Sequence, residues 1–408
     1  MEQQTKRKTK VLYVGDYNRP TGFGEVSKNL LHRWMNDDEF EFTVLACNYN
    51  GQSPVYPAHF PVYACHSDYA LNEIAHVFDI VQPDILITLN DGYVMPSYVR
   101  QLGARLNNCW WIGYVVFDGT PIARWREALK HIDLVVFPTE WQAQEMAKVM
   151  PDFKCAVVSH GVNLDVYKPV EKTGIKQYKM AALGEKNADA FIFGMIAKNF
   201  ERKRYPELIQ AFAIFKYKSG IEFKRNPMLM LYQTTERGEF NLENLAKIAG
   251  CKDGDVAIIT APDNQGLTDN EMNLLYNSFD VNCLISIGEG FGLPTINAAA
   301  CGKLTMAMNN SVQPSLAKYF PMYLVPCDNQ SPVWFGKDME QIRFIPDCKK
   351  LAQAMCEVYV KMNEPGFAEQ IAKEAMTSAK EFTWDIMADD FMSLVKPYVG
   401  QSKKAQVI

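Results

Sequence analysis

A single acid, Glu289, stands inside the glycine-rich stretch "SIGEGFGLPTINAAACG" at 286–302. The preceding "VNCLIS" reads as a strand, and Pro294 sits at a helix start, where its missing N–H costs nothing. Gly290 and Gly292 let the backbone turn, so that their amides and those of Phe291 and Leu293 point outward at a helix N-terminus. That geometry favours an anion. A carboxylate beside it would repel a phosphate. Glu289 therefore either stays solvated or accepts hydrogen bonds from hydroxyl groups of the kind sugars carry. Asn297, one turn past Pro294, offers a second such partner or else decorates the surface. "AAACG" makes a slim helix that Gly302 ends.

A second loop, "AKNFERKRYPELIQAF", gathers Lys198, Arg202, Lys203 and Arg204 between a strand and a helix. These cations form a solvated face or counter phosphate charge as a leaving group departs. In a third, "GDYNRPTGFGEVSKNL", Gly22 and Gly24 precede a helix, but the six-residue dinucleotide fingerprint is missing and no acid closes the second strand. This argues against a nicotinamide oxidoreductase. Asp118 in "FDGTPIARW" either touches a substrate or caps its turn with Gly119. "DGD" at 253–255 matches a metal-binding Asp-x-Asp pattern, yet it precedes a strand and reads as a turn. His160 ends a strand and reads as a hydrogen-bonded structural histidine.

The elements that position these loops alternate. Strands are expected at 11–15, 42–47, 61–65, 84–89, 110–115, 134–138 and 156–160, then at 191–196, 228–233, 256–260, 281–286 and 304–308. Their near-continuous apolar runs suit strands buried on both faces. Val26, Leu30 and Trp34 repeat at helical spacing, as do Leu208, Phe212 and Phe215. Thr139 with Gln142, and Thr268 with Glu271, have the spacing of capping boxes. Strand–helix–strand alternation implies parallel sheets with right-handed crossovers. The polar "YKPVEKTGIKQYK" at 167–179 separates two halves, with a hinge expected near residue 168. The reading is two doubly wound, Rossmann-like α/β domains, 1–168 and 169–378, and a closing helix within 379–408, with Met387, Phe391, Leu394 and Val395 on one stripe. Ligands then belong at the carboxyl ends of the strands, in a cleft between the domains.

Composition narrows the classes. At 408 residues the chain exceeds one typical domain, and its net charge of −5 argues against a general nucleic-acid binder. The basic "KRKTK" at 6–10 reads as a solvated tail. Ten cysteines without a CxxC pair suit a reducing compartment, and with no signal peptide or long apolar run the expected location is the cytoplasm. Peripheral membrane contact and oligomeric state stay open.

"EGFGLPTINAAACG" resembles the signature of retaining GT-B glycosyltransferases, in particular glycosyltransferase family 4, in which two Glu residues flank seven others that include FGLP. "HGVNLDVYKP", "AKNFERKRYPELIQAF", "LTDNEMNLLYNSFDVNCLIS" and "FTWDIMADDF" extend the likeness over most of the second half. The resemblance implies that Glu289 holds hydroxyls of a donor sugar and that the amides of 290–293 bind the sugar or its diphosphate. Lys198 and Lys203 would neutralise that diphosphate with help from Arg202, and Gly22 and Gly24 would let the first loop close over it. It further implies a nucleotide-sugar donor, no metal or other cofactor, and a glycan, lipid-linked or protein acceptor. Two departures stand out. Asn297 replaces the second Glu, which in the family binds the nucleotide ribose, and Asp118 takes the neighbourhood of a customary sugar-contacting His. A non-catalytic sugar-nucleotide binder and a nucleotide-sugar epimerase are the alternatives on this fold.

Overall fold

The computed structural model describes residues 7–51, 59–121, 123–234, 238–261, 266–327, 333–334 and 342–403. The chain divides into two compact units: Met1–Gly161 together with Trp384–Ile408, and Val162–Thr383.

The first unit is built on seven parallel strands: β1 (Thr9–Asp16), β2 (Phe40–Cys47), β3 (Val62–Ala64), β4 (Ile85–Asp91), β5 (Trp110–Val116), β6 (Leu134–Phe137) and β7 (Cys155–Val157). Their spatial order is β3-β2-β1-β4-β5-β6-β7. Central strands are apolar over most of their length because helices cover both faces, so Val11, Leu12 and Val14 are fully buried, whereas edge strand β3 is only half-buried. β7 ends at Val157, short of the expected 160. The segment read as a solvated tail is structured in part: Lys6 lies outside the described residues, but Thr9 and Lys10 open β1 and Arg7 pairs with Asp84 at 2.5 Å. Helix Gly22–Trp34 buries Val26, Leu30 and Trp34 as its periodicity requires. Helix Trp384–Val395 covers it: Trp34 Nε1 donates to the Ala388 carbonyl at 3.1 Å and the Trp34 and Phe391 rings lie 5.2 Å apart. Thr139 precedes helix Glu140–Val149 without capping it by side chain. Its hydroxyl donates to Gln142 Oε1, while Gln142 Nε2 donates to the Phe117 carbonyl at 3.1 Å.

The second unit has six parallel strands, β8 (Phe191–Ile196), β9 (Pro227–Thr234), β10 (Val256–Ala261), β11 (Val281–Leu284), β12 (Leu304–Met308) and β13 (Met322–Val325), ordered β10-β9-β8-β11-β12-β13. β13 was not expected from the sequence; it is a four-residue edge strand, three of whose residues are half-buried. Val333–Trp334 and Ile342–Arg343 form a separate antiparallel pair. The polar stretch around 167–179 contains no strand but contributes most of the helix Lys172–Leu183. Thr268 and Glu271 form the expected capping box at Asp269–Ser278. β8 tolerates no side chain at Gly194, where a Cβ would lie 2.1 Å from the Phe279 ring.

His160 is buried in the first unit, edge-on to Tyr114 with ring centroids 5.3 Å apart. Burial pushes its pKa down to about 3, so it is neutral near pH 7. The unfolded chain binds a proton at this residue below about pH 6.5 and the native state does not until about pH 3, so stability is full above that window and falls as the pH drops through it. Urea unfolding of wild type and His160→Phe at pH 7.5 and 5 should show the variant lacking about 2 kcal/mol of the acid-side loss. Equal losses in both proteins would contradict the assignment.

Candidate functional site

In the second unit the strand order reverses between β8 and β11, the point at which doubly wound sheets leave a crevice beyond their carboxyl ends. The loops leaving these two strands are the cationic loop 197–204 and the signature loop 285–292. They are sewn together directly. Ile287 N donates to the Arg202 carbonyl at 3.1 Å, and the Arg202 guanidinium donates to the Gly288 carbonyl. Ser286 Oγ also donates to Gly288 O, at 2.7 Å. From the turn after β12, Asn310 Nδ2 donates to the Ser286 carbonyl at 3.2 Å and Ser311 Oγ accepts from Glu289 N at 3.1 Å.

This sewing brings three charges together. Lys203 Nζ lies 2.5 Å from Glu289 Oε1, and Arg202 Nη1 lies 3.6 Å from Glu289 Oε2. The Glu289 and Lys203 side chains are 8% and 12% exposed. Burial alone would push the Glu289 carboxyl up, but the Lys203 and Arg202 charges hold it below the usual carboxylate range. Lys203 ends a short turn, Glu201–Lys203, and Arg204 then takes a left-handed conformation (φ 58°) that starts helix Tyr205–Lys218. Arg204 itself pairs with Glu207 and serves the local structure.

Behind Glu289, Gly292 caps helix Leu293–Ala300 at φ 95°, a conformation costly for any other residue, and Gln313 Nε2 lies 3.1 Å from where a Cβ would stand. The amides of Gly290 to Leu293 therefore occupy the expected helix start. Asn297 is buried, not surface decoration, and its Oδ1 has no hydrogen-bond partner among the described residues. The same holds for Thr295 Oγ1 and both amide atoms of Gln313. Sealed, unpaired polar atoms on this scale oppose folding.

Other expected residues lie elsewhere. Lys198 is exposed, with its ammonium 5.9 Å from the Phe200 ring centroid. In the first unit, Gly24 donates its N–H to Thr21 Oγ1 at 2.9 Å, and a Cβ there would meet the Arg19 carbonyl at 2.1 Å; Gly22 is exposed at the helix start. This loop is organised by a residue the sequence reading passed over. Buried Asp16 accepts from Thr21 Oγ1 and Asn48 Nδ2, both at 2.7 Å; an acid closing the first strand, just before a Gly-Phe-Gly turn, was the available signal. Asp118 lies half-buried just past β5. Asp255 of the "DGD" turn pairs with Lys216 at 2.7 Å, so it pins the turn before β10. Among the described residues, no three His, Cys, Asp or Glu side chains gather as a metal ion would require.

Two Rossmann-like parallel sheets of seven and six strands define the GT-B class of glycosyltransferase fold. Sucrose-phosphate synthase of Thermosynechococcus elongatus matches with a TM-score of 0.72 at 15% identity, over 96% of this chain and 99% of that one. HepE of Anabaena, in complex with UDP and glucose, matches at 0.69 and 14% identity over 95% and 100%. The UDP-forming α,α-trehalose-phosphate synthase of Burkholderia xenovorans matches at 0.68 and 10% identity over 97% and 100%. No protein-family model and no curated protein sequence matches the chain.

The buried pair generates a stability prediction. Lys203→Met strands a carboxylate and should cost about 3 kcal/mol, most of which the double variant Lys203→Met/Glu289→Gln regains. The wild-type contribution is present above the ordinary carboxylate range and lost as pH falls through Glu289's lowered value. Chemical denaturation of the four proteins at pH 7 tests the cycle; additive losses would show that the two side chains do not interact.

Proposed function

We propose that the chain is a retaining, metal-independent glycosyltransferase that moves a sugar from a nucleoside-diphosphate sugar to an acceptor hydroxyl. The observation that carries this reading is the meeting of Lys203, Arg202 and Glu289 at the strand-order reversal, beside the amides of a helix start. Lys203 and Arg202 would take the charge of the departing diphosphate, aided by the N–H groups of Gly290 to Leu293. Glu289 would fix the donor sugar through its hydroxyls, and the leaving diphosphate would accept the proton of the attacking hydroxyl. Lys198, exposed at the same strand end, would reach the diphosphate only by turning from Phe200. Asn297 would meet the ribose with a neutral amide where related enzymes use a carboxylate.

The similar structures solved with UDP or named as UDP-forming support a uridine nucleotide, and their sugar-joining names support a glycan acceptor. Acceptor contacts would come from the first unit, from the loop organised by Asp16 and from Asp118. Among the described residues no helix is long and apolar enough to cross a membrane, and no disulfide joins the ten cysteines, which fits work in the cytoplasm.

Calorimetry with chelator present, against UDP, GDP and their common sugar conjugates, followed by release of the nucleoside diphosphate, tests the reading. Glu289→Ala should lower turnover by about 10²–10³-fold while binding UDP no more weakly than wild type. Unchanged turnover would remove Glu289 from the reaction. A protein that binds sugar conjugates but never releases the diphosphate to any acceptor would be the non-catalytic binder.

A further inference from the structure

The cationic loop after β8 has two halves with different neighbours. Arg202 and Lys203 meet the signature loop after β11, through the Gly288 carbonyl and Glu289. Asn199 and Glu201 meet the chain at and after β9 instead. Asn199 Nδ2 donates to Gln233 Oε1 at 2.8 Å and to the Phe240 carbonyl at 2.7 Å. The Asn199 carbonyl accepts from Glu239 N at 2.9 Å, and Glu201 N donates to the Glu239 carboxylate. Phe200 stands between these two anchors, and its own carbonyl accepts from Lys203 N at 2.9 Å. Its backbone is thus held on both sides and by the turn that follows.

The Phe200 side chain takes no part in this fixing. It is 38% exposed, and no other aromatic ring lies against it among the described residues. The other exposed large apolar side chains of the second unit stand on helices or, for Tyr319, just before β13. Among the described residues of that unit, Phe200 alone stands in a loop at a strand's carboxyl end. Left in water, the ring forgoes the gain of burial. Displayed on a fixed backbone, it offers a ligand a surface that needs little further ordering.

The donor assigned to this crevice has three chemically distinct parts. Glu289 answers the sugar hydroxyls, and Lys203 with Arg202 answers the diphosphate charge. The flat ring of the base is the part left over, and an aromatic face binds it without requiring a particular hydrogen-bond pattern. A sugar ring is the other group that such a face could take. Held by Glu289, it would lie on the β11 side of the two cations, whereas Phe200 belongs to the half of the loop that faces β9. We infer that Phe200 is the platform on which the nucleobase of the donor stacks. This rests on the donor reading above and extends it to the third part of the molecule.

Titration calorimetry of wild type, Phe200→Ala and Phe200→Trp against UDP, GDP, ADP, dTDP and inorganic pyrophosphate tests the platform; the last carries the diphosphate charge without a base. Phe200→Ala should bind the preferred nucleotide at least about ten-fold more weakly than wild type, and pyrophosphate no more weakly. Phe200→Trp should keep the nucleotide affinity. Its added indole emission, read as the difference from wild type, should be quenched by the nucleotide and not by pyrophosphate. Because the ring is exposed, both variants should unfold at the wild-type denaturant midpoint, which separates a loss of binding from a loss of fold. Undiminished nucleotide binding by Phe200→Ala, or an equal loss for nucleotide and pyrophosphate, overturns the platform and leaves the donor reading standing. A wild-type protein that binds none of the nucleotides removes both.

Discussion

The adjacency of β8 and β11 is the constraint on which the site depends. They pair in parallel, Val281 opposite Phe193, although 84 residues of chain separate the end of one from the start of the other in sequence. Because the sheet winds outward in both directions from this pair, the two following loops face each other with no helix between them. Gly194 leaves room for the Phe279 ring, which occupies the volume that any side chain at 194 would need. With the two loops side by side, a guanidinium on one reaches a carbonyl on the other, and the lysine next to it falls within reach of the only acid of the signature.

Much of this was legible in the residues. Twelve strand segments stood out because parallel strands buried on both faces leave uninterrupted apolar runs. The capping box at Thr268 and the left-handed glycine before Pro294 were legible because their chemistry is local. What failed was whatever depended on a neighbour distant in sequence. β13 is too short and too exposed to show a pattern, and it exists because β12 offers it an edge. Thr139 gave up its cap for a bond to Gln142, whose amide is claimed by the Phe117 carbonyl just past the end of β5. Among the cations at 198–204, residue type alone does not separate Lys203, which meets Glu289, from Lys198, which lies over Phe200. Spacing could not show it because the turn at 201–203 and the left-handed Arg204 decide where each side chain points.

The site is also where the fold accepts local disadvantage. Asn297 Oδ1, Thr295 Oγ1 and the Gln313 amide are buried without hydrogen-bond partners among the described residues, around a helix start whose capping residue is held in a left-handed conformation. Apolar residues of similar shape would serve stability better. By contrast, the ion pair of Asp280 with Arg225, at 2.7 Å beside the start of β11, is fully bonded and sits at the opposite end of the strand. Polar burial at one end of β11 is satisfied, and at the other it is not.

The return of residues 384–403 to the first unit has a consequence for how the protein is made. Trp34 leaves the ribosome early, yet the carbonyl that receives its indole N–H belongs to Ala388, 354 residues later. At translation speeds of about 5–20 residues per second, that interval is on the order of 20–70 s. Throughout it the apolar face of helix Gly22–Trp34 has no cover from the helix that will bury it, although the second unit, a continuous segment, can fold meanwhile. The first unit to emerge is thus the last to be completed, and its nascent form carries an open aromatic surface that chaperones are suited to shield.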